Sequence, residues 1–396
     1  MSNAGGYDVI IIGGGIIGSA IAYFVSKLGG QKVLVAERND QASGSAGATD
    51  GVVAFHTKKP GAHMEFAIQS VSMFPGLSQE LGADIEYVEN CGGMIPVQNE
   101  QQWSIMEQIG KEQSKSGIDI RMIGIDETLK MTPYLSPKLL GCLYTPMGGK
   151  VNPIALTFAF ARAAKRLGAV FMNDTEVTGV IKDGDRAAGI STSKGNFYGD
   201  KVVICAGSWS AAVGEMAGVS IPIKPRKGQI LITEPIGPFF GGSLQCAQYY
   251  MIKNRPDTIT DEYVLRTGSS LSFAQTEDGA LTIGGTRELV GFDTENTLES
   301  IESVARRVVR FFPALRNVHI IRAFAGLRPY TPDGLPLIGK FDHIGAKGLY
   351  VAAGHEGDGI AMAPATGKLM AELLVNGESS FPLEPFCPNR FEGRVV

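Results

Sequence analysis

Three glycines near the start of the chain, Gly13, Gly15 and Gly18, are spaced G-x-G-x-x-G, and an acidic residue, Glu37, follows 19 positions after the last of them. Glycines at this spacing allow a tight turn out of a strand, let backbone approach a diphosphate, and let a helix pack closely on a sheet; an acid about twenty residues on accepts hydrogen bonds from a ribose. A second run of small residues, Ser43-Gly44-Ser45-Ala46-Gly47-Ala48-Thr49-Asp50-Gly51, comes just after Glu37 and lets backbone approach a bulky planar ligand. That favours a cofactor extending beyond one nucleotide, FAD rather than NAD; a flexible surface loop is the alternative. Far along the chain stand Arg328, between Gly326 and Pro329, and the turn Gly354-His355-Glu356-Gly357-Asp358-Gly359-Ile360. A planar guanidinium holds a carboxylate with two parallel bonds. A glycine turn ahead of a helix aims free N–H groups and a positive dipole at whatever fills the gap.

The elements that must position these residues follow from periodicity. Residues 9–12 form a short apolar run with the branching of a buried strand, 16–28 carry apolar residues at helical spacing until Gly29-Gly30, and 33–36 form a second strand ending in Glu37. That is a complete βαβ unit. Residues of about 61–83 and 99–115 read as helical, and 148–153 lead into an amphipathic helix over 154–167. Strands follow at 170–172, 177–180 and 201–205, with a hairpin at 182–185, and the last strand ends in Ala206-Gly207-Ser208-Trp209. From 229 to 286 the pattern favours strands with long connections, including 281–286; a helix is expected over about 298–311. Residues 351–353 read as a strand and 361–374 as a helix with Pro364 in its first turn, where proline is tolerated. With no internal repeat or low-complexity linker, the chain is expected to form two domains whose segments interleave.

A chain of 396 residues that is 44% hydrophobic can bury a large core. The net charge of −4 gives no general attraction to nucleic acid or an anionic membrane. Lys224, Arg226 and Lys227 form the one dense basic cluster, read as a solvated loop. No stretch has the length of a membrane span, and the N-terminus lacks the pattern of a secretion signal. Cys91, Cys142, Cys205, Cys246 and Cys387 are odd in number and scattered, as expected of reduced thiols in a cytoplasmic protein with no disulfide framework, zinc site or iron–sulfur site of its own.

Together, the N-terminal fingerprint, Lys224-Pro225-Arg226-Lys227-Gly228-Gln229, Gly284-Gly285-Thr286, Ala325-Gly326-Leu327-Arg328-Pro329 with Asp333-Gly334-Leu335-Pro336-Leu337-Ile338-Gly339, and Gly354-His355 to Gly367 resemble the FAD-dependent D-amino acid oxidase family, which includes glycine oxidase, sarcosine oxidase and D-amino acid dehydrogenase. The resemblance spans nearly the whole chain in the family's order. The turns 47–51 and 354–360 are most similar to the flavin subunit of bacterial hydrogen cyanide synthase and the β subunit of D-hydroxyproline dehydrogenase. The implied fold is α/β, an α+β two-domain flavoprotein in which a Rossmann-like FAD-binding domain interleaves with a substrate domain built on a mainly antiparallel sheet. Residues 1–83, 146–215 and 322–390 fall to the first, 84–145 and 216–321 to the second.

The chemistry so implied is oxidation of a carbon–nitrogen bond beside a carboxylate by hydride transfer to flavin N5, with a D-amino acid, glycine or a cyclic imino acid such as D-hydroxyproline as substrate. The alternatives are an N-alkylated amino acid such as sarcosine or an opine, and a non-catalytic flavin relay subunit. A dehydrogenase is favoured over an oxidase, with electron-transfer partner subunits carrying iron and sulfur. By the resemblance, FAD is held by Gly13, Gly15, Ile16, Ile17, Gly18, Glu37, Arg38, Ser45, Ala46, Gly47, Thr49, Asp50, Gly51, Val177, Ala206, Gly207, Trp209, Arg328 and the turn Gly354, His355, Glu356, Gly357, Asp358, Gly359 and Ile360. Arg328 matches the carboxylate-binding arginine of glycine oxidase; a structural arginine paired with Asp333 is the alternative. Tyr250 follows a position that hydrogen-bonds the same carboxylate, with Tyr249 beside it leaving the register open. His355 joins these as a catalytic candidate, the alternatives being a core histidine and, for Asp358, a helix cap. The family's covalent members attach flavin through a cysteine directly after the arginine; Pro329 stands there, implying non-covalent FAD. Gly357 replaces an arginine of glycine oxidase, implying a different substrate. His56, Lys58 and Lys59 have no assigned role, and solvent exposure is expected of both lysines.

Overall fold

A computed structural model describes residues 6–341 and 345–392. The opening residues, on which the expectation of no secretion signal rests, lie largely outside these.

At the centre of the first sheet, strand Tyr7–Ile12 lies parallel to Val33–Ala36 on one side and to Gly195–Ile204 on the other, in register Val9 with Val33 and Lys201. Its four inner residues are buried on both faces, as an apolar β-branched run requires. Val170–Met172 extends the sheet beyond Val33–Ala36, and Leu349–Ala353 and Leu337–Lys340 beyond Gly195–Ile204. The hairpin Val177–Asp183 and Arg186–Thr192 continues antiparallel from the first half of Gly195–Ile204. One face is covered by helix Ile16–Leu28, packed against Gly359–Asn376 and Pro153–Arg166. A Cβ at Gly367 would lie 2.9 Å from Ala20, so the glycine sets how closely the first two helices cross.

The second sheet runs in the order Ile320–Tyr330, Lys224–Thr233, Leu281–Gly284, Ser272–Gln275, Ser243–Gln245, Gly93–Val97, Gly141–Thr145, Arg121–Gly124. All pairs but Ser243–Gln245 with Gly93–Val97 are antiparallel. Helix Leu298–Phe311 buries Val304, Val308 and Phe311 against Leu231, Phe273 and Ile283 of this sheet. The two sheets realise the expected α/β architecture, and the segments from which they are drawn interleave along the chain.

Three expectations change. Residues 322–330, assigned to the nucleotide half, pair along their length with Lys224–Thr233 and belong to the second sheet. The basic cluster at 224–227 is strand rather than solvated loop, and Arg226 and Lys227 are buried in it. The stretch 229–286 holds two helices, Ala247–Asn254 and Glu262–Thr267, too short for helical periodicity to separate them from strand. No helix among the described residues is long and apolar enough to cross a membrane.

Candidate active site

Two cavities meet at the C-terminal ends of the parallel strands, sharing Gly15, Gly44, Cys205 and Gly207. The first is lined by Gly13, Glu37, Arg38, Val177, Ala206 and Trp209. Its walls are close because they lack side chains. Gly13 has φ +107°, and a Cβ there would lie 2.5 Å from the Cys205 carbonyl oxygen. A Cβ at Gly18 would lie 2.0 Å from the Gly13 oxygen, whereas at Gly15 it would meet nothing within 4 Å and project into the open space. Helix Ile16–Leu28 begins at Gly15 without a side-chain cap, so its first N–H groups are free for an anion. Glu37 accepts hydrogen bonds from the Gly14 N–H at 2.8 Å and the Asn39 N–H at 2.9 Å, which fixes the carboxylate at the cavity wall. The Arg38 guanidinium stacks on Trp209 at 3.9 Å. These features fit the diphosphate, ribose and adenine of a dinucleotide.

The second cavity continues past Gly15 between the small-residue run and the second sheet. Ile16, Ile17, Ser45, Ala46, Thr49 and Asp50 form one wall, and Gly354, His355, Glu356, Gly357, Gly359 and Ile360 another. Tyr249, Ser272 and Arg328 come from the substrate side. Gly47 and Gly51 shape the turn from behind: Cβ atoms there would lie 2.3 Å from the Ala42 oxygen and 2.1 Å from the Val151 oxygen. A long, two-part cavity joined at a glycine-lined neck fits FAD, with the flavin in this second part beside the start of helix Gly359–Asn376.

Arg328 reaches this cavity because a glycine leaves it room. A Cβ at Gly228, one strand over, would lie 2.0 Å from Nη1. Nη1 donates to the Thr286 carbonyl at 2.9 Å, and among the described residues no carboxylate lies within ion-pair distance. The pairing of Arg328 with Asp333 is not formed: Asp333 binds Arg390, with Nε to Oδ2 at 2.8 Å. Burial pushes the Arg328 pKa down, and neighbouring Arg287 adds to this. An anion placed here relieves both.

Tyr249, not Tyr250, faces the cavity. The Tyr250 ring is packed in the core, with Glu112 and Arg255 as its nearest charges. On helix Ala247–Asn254 adjacent residues point about 100° apart, so only one of the pair can reach the site. Tyr249 lies under the Arg287 guanidinium, 4.0 Å from the ring centroid, and burial raises its hydroxyl above the ordinary range.

Glu356 is buried and binds the Arg226 guanidinium, Arg287 Nε at 3.3 Å and Lys253 Nζ at 3.9 Å. Against the cost of burial, these cations hold its carboxyl well below the usual range. Asp358 does not cap its helix. It binds Lys58 and Lys253, each at 2.6 Å, with His63 Nε2 at 3.2 Å. Lys58 is therefore buried rather than exposed, and half-buried Lys59 donates to the Asp333 carbonyl at 2.9 Å. His355 hydrogen-bonds Thr366 Oγ1 at 3.0 Å, and burial lowers its pKa to about 3, so the ring is neutral. His56 is buried on Gln245 at 2.6 Å, its pKa lowered to about 4.

Sequence reasoning passed over Lys253 and Arg287, and placed Arg226 in a solvated loop. Arg287 directly follows Gly284-Gly285-Thr286, whose turn exposes the carbonyl bound by Arg328; Lys253 stands one helical turn after Tyr249. Lys58, Arg226, Lys253 and Arg287 thus pair with Glu356 and Asp358, and with Arg328 the cations outnumber the carboxylates even when Asp50 is included, leaving positive potential for a bound anion.

Comparison with known proteins agrees with this geometry. The FAD dependent oxidoreductase (DAO) family matches residues 8–373. Hydrogen cyanide synthase subunit HcnC of Pseudomonas aeruginosa is 30% identical, with 98% of this chain and 96% of that protein covered. Glycine oxidase of Geobacillus kaustophilus is 30% identical over 98% of both chains. The crystal structure of L-proline dehydrogenase from P. horikoshii superimposes with a TM-score of 0.87 at 29% identity, covering 98% of each chain.

Proposed function

The chain belongs to the DAO family of FAD-dependent oxidoreductases, and from that premise we propose that it oxidises the carbon–nitrogen bond of a small amino or imino acid, glycine and cyclic imino acids included. The observation that carries this reading is Arg328: a guanidinium with no carboxylate partner among the described residues, opening into the cavity that the flavin-side turn also lines. A protein that only relays electrons has no use for such a group. Relatives named glycine oxidase and L-proline dehydrogenase support the same substrate class.

When bound, FAD supplies a two-electron acceptor for the hydride. The protein's own residues bind and orient. Arg328 grips the substrate carboxylate, the Tyr249 hydroxyl is available to the same group, and the apolar faces of Ile230 and Ile360 keep water from the reacting carbon. The uncapped start of helix Gly359–Asn376 and the surrounding cations give positive potential where reduction of the ring system places negative charge. Pro329 occupies the place of a linking cysteine, so FAD is held without a covalent bond and leaves intact on acid precipitation.

The electron acceptor is a partner subunit rather than oxygen. Supporting this, HcnC is by its name a subunit. An anaerobic screen of amino acids, N-alkylated amino acids and 2-hydroxy acids, watching the flavin absorbance bleach, tests the reaction class. Bleaching by amines supports it; bleaching by hydroxy acids alone refutes it. Peroxide formation as fast as dye reduction refutes the dehydrogenase assignment.

A further inference from the structure

We propose that Asp50 receives the substrate nitrogen, binding it as an ammonium and taking its proton before the carbon–hydrogen bond breaks. The inference rests on the amine-oxidising reading above and extends it to a residue which the family resemblance assigns to the cofactor.

The cavity contains two carboxylates in different states. Glu356 is enclosed by Arg226, Arg287 and Lys253, so its charge is already compensated by the protein. Asp50 lines the same cavity as Arg328 and Tyr249, is half-buried, and among the described residues makes no ion pair. One of its oxygens accepts from the Ser272 hydroxyl; the other has only a long bond of 3.4 Å from the Val52 N–H. Each oxygen therefore keeps a free lone pair. The backbone that presents it is fixed, because Gly51 holds φ +70° with no room for a side chain. A half-desolvated carboxylate without a cation is costly, and a ligand cation removes the cost. Arg328 at one side and Asp50 at another complement a zwitterion.

The step is a proton transfer. An N–H bond of the ammonium breaks, an O–H bond forms on Asp50, and the nitrogen keeps the electron pair; nothing is oxidised or reduced. That lone pair is what cleavage of the neighbouring carbon–hydrogen bond requires. Asp50 also borders an adjoining cleft, which gives the proton a way out. The charged and titratable groups around it on the inner side are Arg328, Glu356, His355, Cys205 and Tyr249, with Arg287 over the Tyr249 ring. On the outer side they are Lys150, whose Nζ is bound to the Gln275 carbonyl at 2.9 Å, and the carboxylates of Glu86, Glu277 and Asp278.

The test uses the FAD-loaded protein, an amine substrate from the anaerobic screen, and two ligands that cannot be oxidised: 2-aminoisobutyrate, which carries the ammonium, and isobutyrate, which does not. Binding is read from the flavin absorbance change. In Asp50→Asn, kcat/KM at pH 7 is expected to fall at least about tenfold, with the deficit shrinking as pH approaches the amine's own pKa. 2-Aminoisobutyrate should bind about tenfold more weakly and isobutyrate within about twofold of wild type. Parallel pH profiles, or equal weakening of both ligands, overturn the proposal. If the asparagine variant loses FAD, the test passes to Ser272→Ala, which deprives Asp50 of its hydroxyl donor: the ratio of the two dissociation constants must move, and an unchanged ratio overturns the proposal. A wild type bleached by no amine defeats the amine-oxidising reading itself; a wild type bleached by amines with an indifferent ligand ratio defeats only the role of Asp50.

Discussion

The two ends of the ligand cavity are built by opposite means. The dinucleotide end is made of backbone: Gly13, Gly15 and Gly18 act by what they lack, and a single βαβ unit brings them to one place. The substrate end is made of long charged side chains, Arg226, Lys253, Arg287, Arg328 and Glu356, contributed by two strands, a short helix and two turns spread over more than a hundred residues. A site made of backbone tolerates no added atoms. A site made of side chains tolerates changes of shape but not of charge balance.

The largest effect should come from adding one carbon at the first end. Gly18→Ala would place a Cβ 2.0 Å from the Gly13 oxygen, which neither backbone can avoid without moving the helix off the strand. Destabilisation beyond about 4 kcal/mol is expected, with FAD lost on gel filtration. A variant that keeps FAD and its melting temperature would show that the dinucleotide end is not rigid.

At the second end the comparable change is electrical. Glu356→Gln keeps the shape but leaves Arg226, Arg287 and Lys253 facing one another, and removing one partner of a buried ion pair costs about 3–5 kcal/mol. Denaturant unfolding measures it. Acid probes the same balance. Glu356 and Asp358 are held well below their ordinary carboxylate pKa, and His56 and His355 titrate at about 4 and about 3 rather than 6.5. In every case the unfolded chain binds more protons than the folded one, so stability is full above pH 6.5 and falls as pH drops through the histidine and then the carboxylate range. A melting temperature flat from pH 7 to 4 would contradict this.

Arg328→Ala removes one cation and one hydrogen bond, to the Thr286 carbonyl, and breaks no ion pair among the described residues. A charge-assisted clamp of about 1.5–3 kcal/mol predicts a loss of roughly tenfold to a hundredfold in kcat/KM, with FAD content unchanged because the diphosphate is held at the other end. Arg328→Lys should be impaired as well, since an ammonium keeps the charge and loses the planar two-bond fit. Steady-state kinetics beside flavin occupancy separate these outcomes; loss of FAD in the alanine variant would join the two ends that the geometry keeps apart.

The same contrast explains what the sequence made legible. The βαβ unit, the helix Leu298–Phe311 and the turn 354–360 are written in local spacing, so they could be placed from residue types alone. Arg287 and Lys253 could not, because their meaning lies in partners 69 and 103 residues away. Arg226 was misread for the same reason: three basic residues in four look solvated until the strand is seen to bury two of them against Glu356 and Asp293.

The smallest effect sharpens the comparison at the level of a single register. Tyr249 and Tyr250 are neighbours in sequence, yet only Tyr249 lines the cavity, its ring beneath Arg287, while Tyr250 is packed in the core. If the Tyr249 hydroxyl bonds the substrate carboxylate, Tyr249→Phe should lower kcat/KM by roughly three- to twentyfold, the worth of one hydrogen bond to a charged group taken at and somewhat below its usual range. Tyr250→Phe removes a hydroxyl that faces away from the site and should leave kcat/KM within about twofold. Both variants keep the ring, so packing is preserved and the difference reports the hydroxyl alone. Equal losses would mean that helix Ala247–Asn254 sits in another register when substrate is bound; a loss confined to Tyr250→Phe would move the substrate side of the site by one residue and take Arg287 away from it.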